Sequence, residues 1–254
     1  PTWTGIYGLG NRSSILLSYG VKKVPAHFSI CMAKKMHMNL SCMARYNVNQ
    51  FSEFPYHISG RILNKASYPI KLSEVWRITS EQLFLAKHCF GLRIHSFVLM
   101  PNHFHLLASV SNTPLPIIMR QFMCETSKEF NRIAGRINQN WGGRHYKCEI
   151  KNYHYFMNCY KYVYQNPIRA QLANRVEDWP YSTLHGLLGY SKLLIPIEED
   201  TLLFSGHTQA TLKWLNAPIT NENLHSIRMA TRKRIFKLRK INHGKANPLE
   251  ELLI

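Results

Sequence analysis

Two histidines separated by one residue, His103-Phe104-His105, are the sharpest chemical feature of this 254-residue chain. In a strand, residues two apart share a face, so both imidazoles aim at one spot while Phe104 turns to the other side. Two neutral imidazoles on one face make half of a divalent-metal site. The bland alternative is a pair of surface histidines on a hairpin, and in a chain with 13 histidines the pair alone is weak evidence. The remaining ligands and any nucleophile must come from another element. The run Tyr160-Lys-Tyr-Val-Tyr-Gln-Asn-Pro167 offers phenols and a carboxamide. On a helix Tyr162 and Asn166 share a face, one turn apart. Tyr155, Tyr160 and Tyr164 compete as hydroxyls, and spacing does not choose among them.

The elements that must hold these groups are readable from periodicity. Phe54 to Leu63 alternates as a first strand. Leu72, Val75, Trp76, Thr79, Leu83, Ala86 and Phe90 recur at helical spacing, and Gly91 suits the end of that helix. Leu92 to Met100 reads as a strand, Pro101-Asn102 as a turn, and His103 to Val110 as the returning strand. A second helix runs from about Pro116 to Gly135, Arg144 to Ile150 is strand-like, and a third helix covers Tyr153 to about Gln165, stopping at Asn166-Pro167. The order strand, helix, strand, strand, helix, strand, helix predicts an α+β fold, with helices on one side of a mainly antiparallel sheet.

Composition bounds the partners. Lys and Arg number 32 against 14 acidic residues, a formal net charge of +18. That excess favours a polyanion: nucleic acid first, an anionic membrane surface second. With 45% hydrophobic residues the chain can bury a sizeable core. Six cysteines without a CxxC pair fit reduced thiols in a cytoplasmic protein rather than a zinc ribbon or disulfide scaffold. No apolar run reaches the roughly 18 residues of a spanning helix. Residues 1–52 contain no Asp or Glu, and a poorly packed basic leader is expected at 1–45. Between His225 and Lys245 lie eight Lys and Arg and no acid, a basic helix either solvated, docked on the domain or laid along phosphates.

Three ordered motifs carry a family likeness: Met100-Pro-Asn-His-Phe-His-Leu-Leu107, Tyr162-Val-Tyr-Gln-Asn-Pro-Ile-Arg-Ala170 and Val176-Glu-Asp-Trp-Pro-Tyr-Ser-Thr183. Through them the chain resembles the single-tyrosine HUH transposases and, within them, the REP-associated tyrosine transposases, from about Tyr56 to Leu188. The resemblance implies a ferredoxin-like HUH fold at 46–190 with a basic C-terminal helical extension at 191–254. It implies that His103 and His105 bind a divalent metal, Mg²⁺ or Mn²⁺, that Asn166 is a further polar ligand, and that Tyr162 attacks DNA. The implied reaction is metal-dependent cleavage and rejoining of single-stranded DNA at hairpin-bearing ends through a covalent phosphotyrosine. A domesticated DNA-binding regulator without catalysis is the alternative.

A phenol of pKa about 10 is mostly protonated at neutral pH, so a metal, Lys161 or another base must assist it. Arg61, Arg144, Lys147, Lys151 and Arg169 are candidate DNA contacts on the domain, and Arg232, Lys233 and Arg234 on the tail. Trp141, Tyr146 and Tyr153 are candidate base-stacking rings. Glu177-Asp178-Trp179-Pro180-Tyr181 reads as a structural turn. Single-stranded or hairpin DNA is the expected partner, with no membrane, for a monomer or homodimer.

Overall fold

In the computed structural model residues 52, 54–199 and 207–238 are described; the leader expected at 1–45 lies outside them, as does the chain beyond Leu238. Four strands, β1 (Tyr56–Arg61), β2 (Leu92–Leu99), β3 (His103–Val110) and β4 (Tyr146–Glu149), form one sheet in the order β2-β3-β1-β4. Every neighbouring pair is antiparallel. Helix α1 (Leu72–Phe90) joins β1 to β2, and α2 (Leu115–Ala134) joins β3 to β4. The result is the split β-α-β order of ferredoxin-like folds, with β3 inserted between β1 and β2. Helices α3 (Tyr153–Tyr164), α4 (Asn166–Arg169), α5 (Thr183–Leu187), α6 (Thr208–Asn216) and α7 (Asn221–Thr231) follow.

Strand alternation sorts the side chains onto two faces. Ile58, Phe97, Leu99, Phe104, Leu106 and Ala108 point to one face and pack beneath Val75, Ile78 and Leu83 of α1 and Ile118, Phe122 and Phe130 of α2. Gly60 in β1 is required by that packing: a Cβ there would stand 2.6 Å from Cε1 of Phe104. Gly91 ends α1 with φ 71°, a left-handed conformation that suits glycine, and its N–H reaches back to the Lys87 carbonyl.

The opposite face corrects the expectation that helices cover one side. Val98, Leu107 and Cys148 pack there with Tyr160, Val163 and Tyr164 of α3, and with Leu212, Leu215, Ile227, Ala230, Phe236 and Leu238 from the C-terminal extension. One-sided coverage failed because α3 is too apolar to leave open: Met157, Cys159, Tyr160, Tyr162, Val163 and Tyr164 are all buried, and a single layer cannot hide both them and α1–α2.

The basic run also differs from a continuous helix. Helix α7 stops at Thr231, and the segment after it is extended: Glu149 N–H donates to the Arg234 carbonyl (2.9 Å) and Phe236 N–H to the Glu149 carbonyl (2.8 Å). Phe236 and Leu238 are buried while Ile235 and Lys237 are exposed, so a two-residue period wins over helix propensity. This segment covers the outer edge of β4. The outer edge of β2 is covered as well, where Leu99 N–H donates to the Tyr181 carbonyl (2.9 Å) and Glu198 N–H to the Ile94 carbonyl (2.8 Å).

Candidate active site

His103 and His105 stand on the α3 side of β3, opposite Arg61 and Ser59 of β1. One neighbour was not singled out from sequence. His57 on β1 points to the same face, and its Nε2 lies 2.9 Å from Nδ1 of His105. The His103 and His105 rings meet edge to face with centroids 5.0 Å apart. Tyr162 of α3 closes the group, its ring centroid 5.7 Å from that of His105 and 6.1 Å from that of His57.

Burial fixes the state of these rings. Burial pushes His57 and His103 down to about 4, with the Arg61 charge acting in the same direction on His103. His105 lies well below the usual imidazole range, from burial first and then from His103, His57, Arg61 and Arg169. All three are therefore neutral near pH 7 and each carries a lone pair. Asn102 Nδ2 donates to the Lys65 carbonyl (2.8 Å), which turns its Oδ1 toward His103 Nδ1 at 2.7 Å. His103 must donate from Nδ1, leaving the Nε2 lone pair outward. His57 Nε2 engages Nδ1 of His105, so Nε2 is the nitrogen of that ring left for a ligand, with its lone pair free in the tautomer that donates from Nδ1.

Helix α3 is clamped at both ends of the site. Asn152 caps its start by accepting from Tyr155 N–H at 2.8 Å. The Tyr164 hydroxyl bonds Thr183 Oγ1 at 3.0 Å, and that oxygen also accepts from Phe97 N–H of β2 at 3.0 Å. Gln165 Nε2 donates to the Leu215 and Ala217 carbonyls, both at 2.7 Å, which ties the helix end to α6. The helix is interrupted after Tyr164 because Pro167 has no N–H for the carbonyl four residues back. Asn166 Nδ2 supplies substitutes, to Tyr162 O at 2.9 Å and Val163 O at 3.3 Å. Its Oδ1 makes no hydrogen bond among the described residues.

The competing hydroxyls separate in space. Tyr164 is bonded to Thr183, Tyr160 is buried against Tyr164 with ring centroids 4.8 Å apart, and Tyr155 packs on Phe236 at 4.9 Å. Of these four, Tyr162 is the one that meets the His57 and His105 rings among the described residues. Lys161 points elsewhere, its Nζ 5.1 Å over the Trp214 ring.

The predicted DNA contacts divide similarly. Arg61 and Arg169 lie at the site, their charges acting on His105. Lys147 is paired with Ile58 and so lies on the α1–α2 face of β4, its Nζ 5.7 Å over the Tyr56 ring. Arg144, Arg232, Lys233 and Arg234 are exposed beside β4 rather than at the histidines, and Lys151 is exposed next to Glu149 (3.8 Å). Trp141 is not a free stacking surface: it is buried, and its Nε1 donates to the Met123 carbonyl at 3.0 Å. Tyr146 and Tyr153 are exposed. Trp179 donates to the Leu99 carbonyl at 2.8 Å and Asn216 to buried Glu177 at 2.8 Å, a structural turn as read from sequence.

Among the described residues no group of three or more His, Cys, Asp or Glu side chains is arranged to hold a metal ion. None of the four described cysteines is in a disulfide. No described helix is long and apolar enough to cross a membrane.

No protein-family model matches the chain. It is similar to the REP-associated tyrosine transposase of Escherichia coli (strain K12), at 27% identity over 92 residues, 36% of this chain and 54% of that protein. The chain thus spans about half the length of that curated relative. Among solved structures, that of the REP-associated tyrosine transposase bound to a REP hairpin aligns at a TM-score of 0.47 and 19% identity, covering 62% of this chain and 93% of that one.

Proposed function

We propose that this chain is a metal-dependent single-stranded DNA transesterase, a transposase that cleaves and rejoins hairpin-bearing DNA ends through a covalent bond to Tyr162. The observation that carries this reading is the meeting of Tyr162 with His105 and His57, at ring-centroid distances of 5.7 and 6.1 Å, beside His103. A pure binder has no physical need for a phenol packed on neutral imidazoles. The similarity to a REP-associated tyrosine transposase supports the same class of chemistry.

The donor set fits a divalent cation. His103 has its Nδ1 committed to Asn102, and His105 has its Nδ1 engaged by His57, so both rings offer the Nε2 side. Two imidazoles fall short of a closed cage, and oxygen ligands from Asn166 Oδ1 and from the DNA would complete it. When bound, Mg²⁺ or Mn²⁺ supplies Lewis-acid polarisation of the phosphoryl oxygen and charge neutralisation at the leaving oxygen. The chain's own part is to hold Tyr162 in one place. The α3 clamps at Thr183 and Ala217 fix the helix against the sheet, so the phenol meets the phosphate without a search. In the reaction the Tyr162 hydroxyl gives up its proton as its oxygen bonds to phosphorus, the bond from phosphorus to the departing sugar oxygen breaks, and that oxygen takes up a proton, so none is gained or lost overall. The phosphotyrosine conserves the bond for rejoining without ATP.

The test is incubation of a labelled hairpin oligonucleotide bearing single-stranded flanks with protein and Mn²⁺, followed by denaturing electrophoresis. A covalent adduct that requires the metal and vanishes in Tyr162→Phe is expected. DNA binding without any adduct would favour the regulator reading instead.

A further inference from the structure

The guanidinium of Arg169 folds back over the nucleophile helix. Its central carbon lies 5.1 Å from the centre of the Tyr162 ring. Its Nη1 is buried and makes no hydrogen bond among the described residues, a costly state for a charged donor. Burial weakens this guanidinium most, the Tyr162 phenol works in its favour, and the charge of Arg228 on α7 repels it. Neither arginine has a carboxylate in ion-pair contact among the described residues. A protein that sets two cations without a carboxylate partner and one orphaned donor beside a phenol has built the surroundings an anion would complete.

From this geometry we propose that Arg169 is a phosphate clamp, its unpaired Nη1 taking a non-bridging oxygen of the very phosphodiester that Tyr162 attacks. The inference rests on the transesterase reading and deepens it, since it names a second group that touches the reacting phosphate. Arginine suits the task where lysine does not. Its planar fork can stack on the Tyr162 ring while one arm bonds an anion, and an ammonium can do only one of these. No bond to Arg169 forms or breaks. It holds the phosphorus over the Tyr162 oxygen and offsets charge on the non-bridging oxygen as the new P–O bond forms. Arg228 adds longer-range attraction, so the C-terminal extension contributes to the site as well as to its scaffold.

The experiment follows adduct formation on the hairpin oligonucleotide with Mn²⁺ under single-turnover conditions. At protein concentrations that saturate the DNA, Arg169→Ala is expected to slow it by about 100-fold or more, in line with the loss of one oxyanion donor. Arg169→Lys keeps the charge without the fork and should remain at least tenfold slow. A methylphosphonate at the linkage that the wild type cleaves removes the charged oxygen. It should slow the wild type strongly and Arg169→Ala little further, which a merely structural role for Arg169 would not produce. Adduct formation by Arg169→Ala within threefold of wild type, or an equal methylphosphonate penalty in both proteins, would overturn the clamp and leave the transesterase reading intact.

A wild type that forms no adduct removes the transesterase reading, and the anion site is then judged by binding alone. Inorganic sulfate at constant ionic strength should raise the melting temperature of the wild type by more than that of Arg169→Gln, whose fold is checked in chloride. Equal shifts in the two proteins would overturn the clamp.

Discussion

On one side β3 presents Phe104, Leu106, Ala108 and Val110 to α1 and α2; on the other, the same strand presents His103, His105, Leu107 and Ser109 toward α3. On β3 itself, the first face is made of side chains with no polar atoms. The second mixes three imidazoles, Ser59, Arg61 and a phenol into an otherwise apolar contact. Because the pleat alternates with a period of two, one strand serves both without compromise. Rigidity comes from the apolar side, and the imidazoles on the other inherit it through the backbone they share.

If that division holds, changes on the two faces should separate activity from stability. The largest effect belongs to the polar face: His103→Ala should reduce metal-dependent adduct formation by at least about 1000-fold, while its unfolding free energy stays within about 1–2 kcal/mol of wild type in a denaturant titration. DNA binding, dominated by phosphate contacts, should remain within a few-fold. Phe104→Ala is the mirror experiment. It empties the space shared with Phe97, Phe122 and Trp141 and should cost about 3–5 kcal/mol of stability. Below its melting point it should still form the adduct.

Acid should find the polar face first. His57 and His95 are held near 4 by burial, below the ordinary value of about 6.5 for an unfolded chain. The folded protein therefore binds fewer protons than the unfolded one between those values. Stability is fully present above about pH 6.5 and falls as pH drops toward 4, by about 1.4 kcal/mol per pH unit for each such histidine. His95→Gln, which keeps a partner for the Ser109 hydroxyl at 2.7 Å, should flatten that decline in denaturant titrations at pH 7.5 and 5. The smallest effect lies away from both faces. Replacing Arg232, Lys233 and Arg234 by Ala should flatten log K against log salt by roughly 0.7 for each phosphate of single-stranded DNA left unneutralised, with adduct formation at saturating protein unchanged.

How much of this was legible depended on whether the signal was local. The β3 alternation, the Gly91 stop and the pairing of His103 with His105 are all carried within a few residues, and the mainly antiparallel α+β class followed from the element order. His57 was not, because a single histidine in a strand announces nothing until register sets it against Leu107 and brings its Nε2 to His105. Tyr162 could not be told from Tyr160 and Tyr164 by spacing. Their fates were decided by Thr183 and by the far core, both remote in sequence. The extended form of the segment after α7 was written in the alternation of Ile235 to Leu238, and the density of positive charge masked it.

The short segments along the two rims of the sheet bear on how copies of this protein can meet. Strands at a rim normally offer unspent N–H and C=O groups, and a second chain can dock there by continuing the ladder. Here Arg234 and Phe236 take up the Glu149 groups at one rim, and Tyr181 and Glu198 take up Leu99 and Ile94 at the other. Growth by joining sheet to sheet is closed at those four places while these segments stay put. Two copies that meet at those four groups must do so side chain to side chain.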